Sequence, residues 1–261
     1  KDNIVIRIPA TQPDPSNSVV VLDLTGKPDV NDPPVIMDQQ NIFIDQMNVI
    51  ITTQRENVEI YYTTDGTDPN TKSQAVTGGL MITETSLVTA QNFRDGIPVS
   101  GTTRALFTKV LPHPGVRINR AERGLYYEYF EGSWDSLPDF NKLNKVKTGV
   151  ISNIDISDRT RDNNFGFVFE GLILIQEKGV YSFYTDSDDG SQLFIGDNLV
   201  VDNDGLHSMT EAKGSVALDT GYHPIRVTYF EKGGGNSLEV YYDNARFEKR
   251  SIPDNLLFHR K

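Results

Sequence analysis

Apolar residues along this chain recur at every second position, and clusters of Pro, Gly, Asn and Asp cut the alternating runs into short pieces. Successive side chains of an extended strand point to opposite faces, so a period of two predicts half-buried strands, whereas a helix would repeat every 3.6 residues. The expected fold class is therefore all-β. Residues 5–8 and 19–24 read as strands around a turn-rich stretch, and Gly26-Lys27-Pro28 stops them. Pro33-Pro34 opens a second unit, in which residues 42–44, 48–52, 58–63, 87–91 and 104–107 are short strands at the spacing of a β-sandwich. A third unit has strands at 180–185, 191–195, 199–201, 223–231 and 237–242, with Gly233-Gly234-Gly235-Asn236 reading as a hairpin loop. An antiparallel sandwich or jelly-roll-like barrel follows from that series. The chain divides into residues 1–30, the closing strands of an upstream domain; 31–112, a small immunoglobulin-like sandwich; and 113–261, the larger β unit.

Composition narrows the partners. The 261 residues carry a formal net charge of -11, which disfavours phosphate backbones and anionic lipid, so no nucleic acid is expected. With no cysteine there is neither a disulfide framework nor a thiolate site, and a metal would need oxygen or histidine ligands. No apolar run approaches the roughly 20 residues that span a bilayer, so membrane insertion is not expected. Lys1 opens the chain in mid-strand without a leader-like segment, and the sequence reads as a piece of a longer polypeptide.

The densest chemistry lies in Tyr184-Thr185-Asp186-Ser187-Asp188-Asp189-Gly190-Ser191, followed by Asp202-Asn203-Asp204-Gly205. Crowded carboxylates repel one another, and a bound hard cation relieves that repulsion most simply. Asp-Asp-Gly is also a good turn sequence in its own right. The spacing is not that of an EF-hand, because Asp188 and Asp189 are contiguous and Gly190 follows too early. Trp134, the single tryptophan, sits in a loop-like stretch. It is a candidate platform for stacking on a sugar ring, or else a core plug. Tyr126, Tyr127, Tyr129, Tyr241 and Tyr242 fall on alternating strands and read mainly as packing. His113, His207, His223 and His259 lack metal-ligand spacing, and there is neither a G-x-S-x-G elbow nor a phosphate-cradling loop. No catalytic residues are expected. In the second unit, Asp65-Gly66-Thr67-Asp68-Pro69 reads as a sharp structural corner.

Three resemblances add to this reading. Residues 118–261 resemble the PA14 domain through Gly179-Val180-Tyr181-x-Phe183, Ser187-Asp188-Asp189-Gly190-Ser191-x-Leu193-x-Ile195-Gly196, Gly221-Tyr222-His223-Pro224-Ile225 and Ile252-Pro253-x-x-Leu256-Leu257-Phe258. That resemblance implies a carbohydrate-binding module. It also implies that Asp188 and Asp189, joined by a cis peptide, hold a calcium ion, with Asn236 adding a loop oxygen. Residues 33–110, through the corner at Tyr62-Thr63-x-Asp65-Gly66-x-x-Pro69, look like the ancillary sandwich of chitobiases and β-hexosaminidases. Ile4-Val5-Ile6-Arg7-Ile8-Pro9 and Val19-Val20-Val21-Leu22-Asp23-Leu24 are similar to the end of bacterial α-L-fucosidases. Together these imply a non-catalytic region of a secreted, periplasmic or surface glycoside hydrolase, partnered by its upstream catalytic domain and by glycan. The alternative is a structural module that braces the catalytic domain or mediates oligomerisation.

Overall fold

A computed structural model describes Arg7, residues 31–37 and residues 40–261. The strands expected within residues 1–30 lie outside the described residues, Arg7 apart. The described chain is built of β-strands, with two single-turn 3-10 segments and no helix long and apolar enough to cross a membrane.

The first sandwich comprises β1 (Val35–Met37), β2 (Ile42–Phe43), β3 (Met47–Thr52), β4 (Glu59–Thr63), β5 (Gln74–Ala75), β6 (Leu80–Ile82), β7 (Ser86–Arg94) and β8 (Ile97–Lys109). One sheet is ordered β1-β3-β6 and the other β2-β8-β7-β4-β5. Ile36, Val49, Ile51, Val88 and Phe107 meet between them and exclude water. The corner after β4 holds as read: Gly66 takes φ +82°, and Asp65 Oδ1 accepts from the Thr67 amide at 3.0 Å.

The second sandwich begins with β9 (Ala121–Arg123), β10 (Leu125–Glu131), β11 (Lys147–Ile151), β12 (Phe165–Ile175), β13 (Gly179–Asp188) and β14 (Ser191–Ile195). It continues with β15 (Asn198–Asn203), β16 (Thr210–Leu218), β17 (Gly221–Glu231), β18 (Ser237–Asn244), β19 (Phe247–Ser251) and β20 (Leu257–Arg260). The larger sheet runs β11-β10-β12-β17-β14-β15, with β20 on β12 and β9 on β20; the smaller runs β16-β13-β18-β19. Alternation explains the packing of β12. Phe165, Phe167 and Phe169 all point into the core, Phe167 stacks on Phe169 at 5.3 Å, and Tyr129 leans on Phe167 at 5.0 Å. Phe183 and Tyr242 answer from the smaller sheet. On the outer side of the larger sheet, Phe130 and Val168 are covered by Phe140, with half-buried Trp134 packed alongside.

Two local expectations need correcting. The glycine-rich run 233–236 does not close a hairpin: β17 lies in the larger sheet and β18 in the smaller, so the chain crosses the sandwich there. Glycine and asparagine free the backbone to turn, but they do not say which sheet receives the next strand. The acidic run is not wholly a loop either, since β13 continues through Asp188, which pairs with Ser237.

Closure of the sandwich depends on Gly214. A Cβ added there would lie 1.6 Å from the carbonyl oxygen of Val200, a backbone atom of the neighbouring sheet that cannot swing aside. Gly214→Ala is expected to destabilise the protein by at least about 1–3 kcal/mol, the usual cost of overpacking. Gly101→Ala, where nothing lies within 4 Å, should stay within about 0.5 kcal/mol of the parent. Urea titrations of both variants check the contrast, and equal midpoints would refute it.

A carboxylate cluster at the sheet crossings

Three connections cross between the sheets at one rim of the second sandwich: Asp189-Gly190 after β13, residues 204–209 after β15, and residues 232–236 after β17. Register fixes them side by side, because Ser187 pairs with Thr210, Asp188 with Ser237, and Ser191 with both Asn203 and Tyr229. A buried hydroxyl network locks the base of the crossings. Ser187 Oγ meets Ser191 Oγ at 2.7 Å, and Asn203 Nδ2 donates to Ser187 Oγ at 3.2 Å and to the Thr210 carbonyl at 2.8 Å. Gly190 is required by close approach: a Cβ there would lie 2.5 Å from the Phe230 ring and 2.8 Å from the Gly205 nitrogen.

Carboxylate oxygens of Asp188, Asp189 and Glu231 lie within 4.8 Å of one another, and the Asp188–Asp189 peptide bond is cis. Asp189 is anchored by amides from two different crossings, with His207 N donating to Oδ1 at 3.1 Å and Lys232 N to Oδ2 at 3.0 Å. Each of those oxygens keeps a further lone pair. Tyr229 donates its hydroxyl to the Asp188 carbonyl at 2.5 Å and lies 3.3 Å from Glu231 Oε2. Glu231 is fully buried, and its Oε1 has no hydrogen-bond partner among the described residues. A buried carboxylate oxygen without a partner needs an explanation such as a bound ion or water.

Electrostatics agrees with the geometry. Burial, reinforced by Asp189 and then Asp188, pushes the Glu231 carboxyl up to about 7. Burial and then Asp189 push the Asp188 carboxyl upward, and burial with Glu231 raises the Tyr229 phenol, which stays neutral and available as a donor. Three acidic groups with oxygen donors only, one of them orphaned, suit a hard divalent cation such as calcium or magnesium.

Of the residues singled out from sequence, Asp188 and Asp189 form the cluster. Asn236 stands on the crossing that overlies Asp188: it precedes Ser237, the register partner of Asp188, and a methyl on neighbouring Gly235 would lie 2.9 Å from Asp188 Oδ2. Its Nδ2 donates to the Asp162 carbonyl at 3.3 Å. Trp134 packs edge-on against Phe140 at 6.1 Å and over Gly132, within the covering cluster. The loop that carries it borders the rim, since Asp135 pairs with Lys232 and the Leu137 amide donates to Asp204 Oδ1 at 2.7 Å. Glu231 escaped the sequence reading. The available signal was parity: Ile225, Val227 and Tyr229 face the core, and an acidic residue continues that inward row.

Comparison with known proteins places these features. Residues 121–256 match the family model described as the PA14 domain, and residues 49–106 match the one described as Fn3 associated. The chain is 26% identical over 196 residues to a beta-hexosaminidase of Porphyromonas gingivalis, covering 72% of this chain and 25% of that protein. It is 26% identical over 146 residues to an anti-sigma-I factor of Acetivibrio thermocellus, covering 54% of this chain and 22% of that protein. It thus spans about a quarter of the length of these curated relatives. Among solved structures, the PA14 sugar-binding domain from an RTX adhesin superposes with a TM-score of 0.46 at 16% identity, covering 52% of this chain and 98% of that one.

Because the Glu231 carboxyl is raised from 4.5 to about 7, the folded protein holds a proton that the unfolded chain releases in that interval. Stability in chelator therefore falls as pH climbs from about 4.5 to about 7 and levels off above, the reverse of a salt-bridged carboxylate. Glu231→Gln should melt with the parent at pH 4.5 and above it at pH 8 when calcium is chelated. Parallel melting curves across that range would show that Glu231 is not held protonated.

Proposed function

Because the chain belongs to the PA14 domain family, we propose that its second sandwich binds glycan through a calcium ion held by Asp188, Asp189 and Glu231, with Asn236 as a further oxygen from the overlying crossing. The orphaned oxygen of buried Glu231, facing two aspartates, carries this reading. The ion would supply coordination for vicinal sugar hydroxyls. Calcium takes about six to eight oxygens, and three carboxylates leave room for hydroxyl ligands. The protein's own part is positioning: two backbone amides hold Asp189, and the Tyr229 hydroxyl braces the Asp188 backbone. Trp134, packed on Phe140, serves the reading as a prop for the loop beside the site rather than as an open stacking surface.

The larger protein, on this proposal, is a secreted or periplasmic glycoside hydrolase of which this chain is a non-catalytic region. The resemblance to a beta-hexosaminidase over 196 residues supports a glycosidase parent. The narrower α-L-fucosidase identification rests on residues 4–28. A weak second contact with glycan would raise the local concentration of substrate for the tethered enzyme. A bracing role is favoured for the first sandwich alone, where Val35, Met37, Ile50 and Met81 expose about half of their surface on the β1-β3-β6 sheet.

Calcium at a hundredfold excess over its dissociation constant should stabilise the protein by about 2.7 kcal/mol, and Asp189→Asn should abolish the rise in melting temperature. Binding of neutral glycans on an array should disappear with chelator. A melting temperature indifferent to calcium, or binding of neutral glycans that survives chelation, would remove the calcium reading. A calcium response without binding to any arrayed glycan would leave a purely structural ion.

A further inference from the structure

The outer face of the larger sheet carries a second constellation, well away from the carboxylate cluster. Register aligns one residue from each of four strands in a row: Tyr126 opposite Glu170, Glu170 opposite Arg226, and Arg226 opposite Phe194. Arg226 lies five residues before Glu231 on β17, about 17 Å along the strand at the usual rise, and its side chain faces the other way. The row borders a cavity of about 610 Å³, closed at one side by His259 and Arg260.

The chemistry of that cavity is that of a sugar site. The Tyr126 ring is 48% exposed and is steadied by the His259 imidazole, edge-on at 4.5 Å. His259 is itself buried, with Nδ1 3.2 Å from the Gly124 carbonyl. The Arg226 guanidinium carbon lies over the Phe194 ring, 4.4 Å from its centroid, a cation–π contact that steadies the group. Glu170, exposed between Tyr126 and Arg226, offers an acceptor to hydroxyls. A half-exposed ring beside a few fixed polar groups in a concavity of several hundred Å³ is the usual make-up of a small-ligand site.

Arg260 also lines a neighbouring cavity of about 390 Å³, together with Arg117, Ile118, Asn119, Arg120 and Lys261. Lys261 pairs with Glu122 at 2.7 Å, but Arg117, Arg120, Arg226 and Arg260 form no ion pair with any described residue. In a chain of net charge -11, four guanidinium groups without an ion pair around two adjoining depressions, where Glu170 and Asp197 are the lining carboxylates, make a local excess of positive charge. A neutral sugar would use the ring and Glu170 and leave the arginines idle.

We propose that these adjoining cavities form a second saccharide site, independent of any cation and selective for acidic glycans, that is, sugars bearing carboxylate or sulfate. A pyranose ring stacks on Tyr126, its hydroxyls meet Glu170, and its anionic group is received by Arg226 and Arg260. The next acidic residue of the glycan reaches Arg117 and Arg120. The planar fork of arginine matches both carboxylate and sulfate.

The site is tested by isothermal titration of the whole chain in chelator, with three hexasaccharides as probes: one sulfated, one built of uronic acid, one neutral. Inorganic sulfate and an acidic polypeptide serve as charge controls. At least one acidic hexasaccharide should bind, with affinity falling as salt rises; the neutral one should not. Tyr126→Ala and Arg260→Glu should each weaken binding at least tenfold, while Asp189→Asn leaves it unchanged. Both Tyr126 and Arg260 are exposed, and a parental urea midpoint shows that each variant is folded. No binding of either acidic hexasaccharide by the parent chain overturns the proposal. So does equal binding of the acidic polypeptide, which would mark a protein partner, or parental affinity in Tyr126→Ala. Because calcium is absent throughout, failure here leaves the reading of the carboxylate cluster untouched, and the reverse holds as well.

Discussion

Two sheets that share an aromatic core must be joined by chain that leaves one and enters the other, and in this protein three such crossings fall at a single rim. That constraint governs the second sandwich. Each crossing has to satisfy its backbone amides without a neighbouring strand, and two of them do so through side-chain oxygens: Asp189 accepts from the crossings after β15 and β17, and Asp204 accepts from its own turn and from the loop after β10. The carboxylates that solve the hydrogen-bonding problem thereby become crowded together. Burial, reinforced by that crowding, raises the Glu231 carboxyl, and the crowding underlies the affinity proposed for a cation.

Much of this was legible in the residues. Period-two alternation identified strands such as residues 180–185 and 223–231, whose alternate side chains face one core, and the corner at Asp65-Gly66 was specified by its own turn chemistry. The paired aspartates were visible because they are contiguous. Glu231 was not, because a single acid at a strand end forms no motif; the one sign of its inward side is its parity with Ile225, Val227 and Tyr229 along β17. β16 was missed for a related reason. Thr210-Glu211-Ala212-Lys213-Gly214 lacks β-branched density, and the strand exists because β13 offers it a partner and Gly214 lets it pass the backbone of β15.

The charge of the chain as a whole concealed its distribution. A net -11 correctly describes a surface poor in cations, yet the edge formed by β9, β20 and the segment before them collects arginines that are far apart in sequence, at positions 117, 120 and 260. Antiparallel pairing of β9 with β20 brings them together. Two faces of one sandwich thus carry opposite electrostatic character: acidic and inward at the crossings, basic and outward at the far end of the larger sheet. Both depend on side chains fixed by register, so neither needs a long flexible loop.

The double grip on Asp189 has a consequence for the kinetics of capture. Since one carboxylate laces two loops together through their main-chain amides, neither can fray without releasing the other, and the entropic penalty of arranging them falls on folding rather than on encounter with a partner molecule. A rim prepared in that way behaves as a rigid socket, where even a shallow, quickly reversed contact returns its full interaction energy.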